Sequence, residues 1–235
     1  MKNVMLMTRR IVRSVATRGR LSAIAAAGIF GIIIGFIVDR SDPGADFEPA
    51  EFLGRFGLTI FVPIVALVVA SATLGTLVEE KTLIYFWLRP IGRWQIALAG
   101  FLASFAVLLP TVLVPMGLLG AVVGDGSDTT GILLASAVGV VGYGSVFTML
   151  GLFTQRALLW GLVYVLVWEG FIAGLSRGAG WLALSTYSWS ALAQRADADV
   201  IDKPVQLATT IIVSAAIAAA TYVITTWRLT RMTVD

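Results

Sequence analysis

The sequence predicts an all-α integral membrane protein with six transmembrane helices, and three observations carry that prediction. The 235 residues are 58% hydrophobic and only 13% charged, with a mean hydropathy of +0.90. That is too apolar for a soluble domain, which must cover its core with polar surface. Charge-free apolar runs long enough to cross a hydrocarbon layer recur along the chain. The basic residues gather beside these runs in the pattern that orients membrane proteins, not in the clusters that bind nucleic acid. Residues 1–235 read as one membrane domain.

Composition also excludes chemistry. The chain has no Cys and no His, which removes disulfides, thiol catalysis, the commonest metal ligand and the commonest general base. No metal site and no cofactor are expected within it. A phosphate-cradling loop needs G-x-x-x-x-G-K-[ST]. Lys2, Lys81 and Lys203 follow Met, Glu and Asp, so none of them completes one.

Residues 1–20 carry Lys2, Arg9, Arg10, Arg13, Arg18 and Arg20. At 100° per residue, Val4, Met5, Met7, Ile11, Val12, Val15 and Ala16 share one half of a helix, with Lys2, Arg9, Arg10 and Arg13 on the other. Leu6 and Arg18 break the pattern. This reads as a basic amphipathic helix lying on the cytoplasmic leaflet, arginines toward the headgroups, with a disordered basic tail as the alternative. Residues 21–38 form the first span, without a charge for eighteen residues. Gly31 and Gly35 share a GxxxG spacing, which either marks close helix packing or arises by chance in a chain with 24 glycines.

Residues 39–51 are an acidic loop with Pro43 and Pro49, lacking the D-x-[DN]-x-[DN]-G spacing of a calcium site. The second span, 56–78, contains Pro63, where a bend is expected. The third, 95–123, contains Pro110 and Pro115, which invite a kink or a break in its outer half. A turn at 124–128 leads into the fourth span, 131–153, whose Gly139, Gly142 and Gly144 read GxxGxG. No strand precedes them, so they point to helix packing and not to a dinucleotide fingerprint.

Gln155 and Arg156 make a turn before the fifth span, 157–176, which holds Glu169 inside it. A carboxylate in mid-membrane costs roughly 2.5 to 3.5 kcal/mol on insertion scales. Ten apolar neighbours return about 0.3 to 0.6 kcal/mol each, so the segment still inserts. Glu169 either orients the outer segment that follows or takes part in gating or substrate contact. That outer segment, 177–203, is uncharged over 178–193 and rich in Ser, Thr, Tyr and Trp, and 205–227 is the last span. Arg228 and Arg231 ask for a cytoplasmic C-terminus, so parity favours six spans and makes 181–193 re-entrant or interfacial. Both termini are then cytoplasmic. Only Arg40, Arg55, Arg177, Arg195 and Lys203 fall outside, against the other twelve of 17 basic residues inside.

Between spans two and three, residues 79–94 pack five charges around six consecutive apolar residues, 83–88. Glu79 and Glu80 favour the positive end of a helix, and Pro90 biases Arg89 away from helical geometry, so 82–88 reads as two helical turns on the cytoplasmic side. Its apolar surface needs cover. Either it lies at the lipid interface, anchored by Trp87 and Trp94, or it docks on a cytoplasmic protein. The closely spaced Glu79, Glu80, Lys81, Arg89 and Arg93 suit a protein surface better.

The run Leu74-Gly75-Thr76-Leu77-Val78-Glu79-Glu80-Lys81-Thr82-Leu83, followed by Leu88-Arg89-Pro90-Ile91-Gly92-Arg93, resembles the loop between spans two and three in permeases of the second exporter class of ABC transporters. Tyr164-Val165-Leu166-Val167-Trp168-Glu169-Gly170 is similar to the fifth-span signature of such permeases, which also place a re-entrant outer segment after it. The resemblance implies that 79–93 is a coupling helix docking a separate ATPase subunit through Glu79, Glu80, Lys81, Leu83, Phe86, Trp87, Arg89 and Arg93, and that 1–20 is the connecting helix beside it. It further implies two permeases, identical or related, two ATPases carrying ATP and Mg, a substrate path between the permeases, and a bacterial cell membrane. Two other readings remain: an ion-gradient-driven transporter or channel using Glu169, and a non-transporting membrane scaffold subunit.

Overall fold

The computed structural model describes residues 2–41, 48–79, 92–172, 180–196 and 204–232, and every regular element among the described residues is helical. Helix α1 (Lys2–Val15) is short. A bend at Ala16 and Thr17 separates it from α2 (Arg18–Ser41), whose first turn is capped by Thr17 Oγ1 accepting from the Arg20 N–H at 3.4 Å. Then come α3 (Pro49–Val78), α4 (Arg93–Val123), α5 (Gly126–Phe153), α6 (Ala157–Ile172), α7 (Leu184–Ala196) and α8 (Leu207–Arg231). Five of these, α2 over Arg18–Val38 together with α3, α4, α5 and α8, are long and apolar enough to cross a membrane. That set fits a multi-pass membrane protein. Helix α6 is apolar but has only 16 described residues.

Small residues decide which helix takes the centre. Helix α5 packs against α3, α4, α7 and α8, and along it Gly139 meets Val62 and Ser188, Gly142 meets Leu184, and Gly144 meets Leu108. A Cβ on Gly142 would come within 3.3 Å of Leu184. Backbones approach closely only where side chains are this small. Gly31 and Gly35 lie on the inner face of α2, Gly31 against the Phe56 ring and Gly35 against Phe52 and Val123. The opposite face of α2, with Ile29, Phe30, Ile33 and Ile37, is exposed.

Three sequence expectations change. Helix α4 runs unbroken through Pro110 and Pro115. Next to the missing Pro110 donor, Thr111 Oγ1 donates to Val107 and Leu108 carbonyls at 2.7 and 3.2 Å, and Pro115 packs on Gly28, where no side chain intervenes. The carbonyl that Pro110 leaves without its α-helical donor is that of Ala106, so the Thr111 bonds brace the adjoining turn and do not replace the missing one. In α3 the irregularity precedes Pro63: Leu53–Phe61 is π-helical, a wider winding that accommodates backbone groups left without an α-helical partner. Finally, α1 buries Val4, Met7, Ile11 and Val15 against protein, chiefly α4. Spacings of three and four put these four on one stripe, whereas Met5, assigned to the apolar arc, is 78% exposed.

The acidic segment is also shorter than its sequence suggests, because Asp39 and Arg40 belong to α2 and Pro49 already opens α3. Glu51 and Arg55 pair at 2.5 Å one helical turn apart. The turn before α5 is a capping box: Asp125 Oδ1 accepts from the Ser127 and Asp128 N–H groups at 2.8 and 3.0 Å, and Asp128 Oδ2 accepts from the Asp125 N–H at 3.2 Å. The Ser127 hydroxyl, then the Asp128 and Ser127 amides, hold the Asp125 carboxyl below its ordinary range.

Candidate functional site

The long helices α2, α3, α4 and α5 alternate in direction, as the contacts of Gly31 with Phe56, Gly35 with Phe52, Gly120 with Ile132 and Gly144 with Leu108 require, so the bundle has two ends. One collects α1, the start of α4 and the last turns of α3, α5 and α8. The other collects α7 and the starts of α3, α5 and α8. Of the residues singled out in the polar stretch, Glu80, Lys81, Leu83, Phe86, Trp87 and Arg89 lie outside the described residues. Glu79 directly follows α3, as the last residue of the α-helical run Val62–Glu79. Arg93 opens α4, and its Nη1 donates to the Leu229 carbonyl of α8 at 3.5 Å. One residue on, the Trp94 carbonyl accepts from Tyr222 Oη at 3.2 Å. The chain leaving the polar stretch is therefore tied to the C-terminal helix.

The other candidate, Glu169, is the best-partnered carboxylate among the described residues. It lies on the π-helical part of α6, Tyr164–Ile172. That winding matters locally. On an α-helix, residues five apart lie about 140° apart around the axis, whereas i→i+5 bonding brings them to nearly the same face. Tyr164 Oη consequently donates to Glu169 Oε1 at 3.1 Å from five residues upstream. Tyr143, buried on α5, donates to Oε2. The Leu184 N–H, first in α7, donates to Oε1 at 3.0 Å, and the Ser185 N–H also bonds to the carboxylate. A carboxylate from one helix thus caps the N-terminus of another, where the backbone leaves donors unmet and the helix dipole favours negative charge.

Helix α7 has 13 residues, or about 20 Å at 1.5 Å per residue, too short for a hydrocarbon core of about 30 Å. It is stitched along its length. Trp189 Nε1 donates to Thr59 Oγ1 at 3.2 Å, and the indole lies against Gly54. Ser190 Oγ accepts from the Val205 N–H at 3.1 Å, Gln194 Oε1 accepts from the Leu207 N–H at 3.0 Å, and Gln194 Nε2 donates to the Val205 carbonyl. The entry into α8 is held by α7 side chains.

Sequence reasoning singled out Glu169 but neither its donors Tyr143 and Tyr164 nor Ser190 and Gln194, which hold the entry to α8. Tyr164 carried a signal, five residues before a lone intramembrane carboxylate. Tyr143, Ser190 and Gln194 carried none, because their partners are brought to them by packing. No group of three or more His, Cys, Asp or Glu residues that could hold a metal ion occurs among the described residues. No protein-family model matches this chain, and no curated protein matches it.

Proposed function

We propose that this protein is the membrane permease subunit of an ATP-driven exporter, in which a separate cytoplasmic ATPase docks on residues 79–93 and a second permease completes the substrate path. The observation that carries the reading is the stretch itself. Five charges surround six consecutive apolar residues in a connection between two helices long enough to span a membrane. A plain loop would not need that apolar surface, and surface of this kind is stable only when covered. In this reading the segment 157–176 counts as a sixth span, both termini are cytoplasmic, and α1 and the end of α8 lie on the same side as the docking stretch. The bond from Arg93 to Leu229 gives a path by which force on the stretch reaches α8. ATP and Mg belong to the ATPase.

Glu169 acts in this scheme as a positioning residue that holds α7 against α5 and α6. Both of its oxygens already accept from protein donors, which favours this role over ion coupling, where the carboxylate must exchange partners during the cycle. The docking claim has a direct test. The tagged chain, purified in mild detergent from its native membrane, should bring a nucleotide-hydrolysing subunit at about equal stoichiometry, as one-to-one docking requires. Glu80→Lys combined with Leu83→Asp should release that subunit while the permease stays folded. Unchanged co-purification would sink the docking claim.

A further inference from the structure

The α1 end of the bundle holds a cavity lined by two arginines and, among the described residues, by no carboxylate. It opens between the start of α2, the last turns of α3 and the turn joining α5 to α6, with a volume of about 150 Å³. One water needs roughly 10–15 Å³, so a larger polar group fits. Arg20, Thr76, Thr154, Gln155 and Arg156 supply most of its polar lining, and no Asp or Glu among the described residues lines it.

Arg20 Nη1 is closed to solvent and has no hydrogen-bond partner among the described residues, while the half-buried Arg20 side chain as a whole lines the cavity. A guanidinium carries five donors in a rigid fork and does not escape the problem by losing a proton. Burying such a nitrogen unmet is among the costlier faults a fold can keep. The neighbours do not relieve it. Ser71 and Thr76 donate their hydroxyl protons to the Leu67 and Ala72 carbonyls of their own helix, at 2.6 and 2.7 Å. Thr154 Oγ1 accepts from the Arg156 N–H at 3.1 Å, so its own proton is free to point into the cavity. The cavity therefore offers two guanidiniums, a free hydroxyl donor and an amide, with no opposing carboxylate. Planar guanidinium forks match the spacing of oxygens on a phosphate and bind it in bidentate fashion.

We propose that this cavity binds a phosphate oxyanion, anchored by Arg20 and closed at the rim by Arg156, the phosphate being carried on a lipid headgroup at the bilayer edge or free in solution. The assignment is independent of the exporter reading and of which way the chain faces.

The test uses the full chain in phosphate-free dodecyl maltoside micelles, with thermal unfolding followed by tryptophan fluorescence. One arm titrates inorganic phosphate against chloride at constant ionic strength. The other, the phosphatidylglycerol arm, adds phosphatidylglycerol to the micelles against an equal amount of diacylglycerol, which has no phosphate. The midpoint should rise in at least one arm, and half-saturation should weaken about tenfold or more in Arg20→Gln, as loss of a charge-assisted anchor implies. Arg156→Gln, at an exposed turn, should fold normally and weaken the same response less, which keeps the test decisive if Arg20→Gln does not fold. A rise confined to the phosphatidylglycerol arm assigns a lipid headgroup, and one confined to the phosphate arm assigns free phosphate. No rise in either arm, or a rise of equal size and midpoint in wild type and the folded variants, overturns the proposal.

Discussion

The two ends of the bundle are built on different principles. At the α7 end, polar groups answer one another: Glu169 takes donors from α5, α6 and α7, Gln194 and Ser190 hold the entry to α8, and Trp189 reaches Thr59. At the α1 end, cohesion comes instead from close approach. A Cβ on Gly151 would run into the Ser71 carbonyl, and one on Gly75 would come within 3.4 Å of the Gly151 carbonyl oxygen. Polar links are fewer there, Arg93 to the Leu229 carbonyl and Tyr222 to the Trp94 carbonyl, and Arg20 Nη1 has no partner among the described residues. In a low-dielectric surrounding, a satisfied polar network locks one arrangement, while backbone contact between small residues excludes others mainly by shape. The α7 end is the more densely cross-linked of the two, with only the Ser188 and Thr210 hydroxyls beside it buried without a partner among the described residues.

That contrast breaks most sharply at Glu169. Glu169→Ala should cost about 3–5 kcal/mol in reversible unfolding, because three or more donors lose their acceptor at about 1–3 kcal/mol each. Glu169→Gln keeps an acceptor and should cost clearly less. Under the exporter reading proposed above, transport by the Gln variant at the wild-type rate would remove any gating role. At the other end, Gly151→Ala should cost about 1–3 kcal/mol, the usual range for overpacking, since a backbone carbonyl and not a flexible side chain stands in the way. Unchanged stability there would mean that α3 and α5 are not in backbone contact.

The smallest effect concerns the cap of α5, at the α7 end but outside the Glu169 network. The folded Asp125 carboxyl is held below its ordinary value of 3.8, first by the Ser127 hydroxyl and then by the Asp128 and Ser127 amides. A depressed folded pKa contributes stability that is present above the unfolded value and lost as pH falls through the folded one. Unfolding midpoints of wild type and Asp125→Asn should therefore differ slightly at neutral pH and converge below about pH 3.8. A difference that persists in acid would assign the cap to geometry instead of charge.

Much of the architecture was legible in sequence because the bilayer is an undemanding reader: it asks for length and apolarity, and α2, α3, α4, α5 and α8 have both. Glu169 was legible for the same reason, as a charge in an apolar run. Pro110 and Pro115 offered a kink or a break, and α4 is not broken; sequence could not decide between the two because a proline's effect depends on its packing, such as the close approach of Pro115 to Gly28. Met5 misled because period counts give an arc, whereas burial follows the narrower stripe that meets α4.

What the sequence alone determined, then, was which segments are apolar helices, where a carboxylate is stranded among them, and that the stretch at 79–93 carries apolar surface in need of cover. The tertiary structure decided what the stranded groups meet. Tyr143 reaches Glu169 from 26 residues away, the π-helical turn swings Tyr164 onto the same face, α7 offers its N-terminus to the carboxylate, and Arg20 Nη1 is left with no acceptor among the described residues. Partition into a membrane depends on each segment's own composition, while hydrogen bonding depends on distances of about 3 Å between atoms far apart in the chain, and only packing sets those.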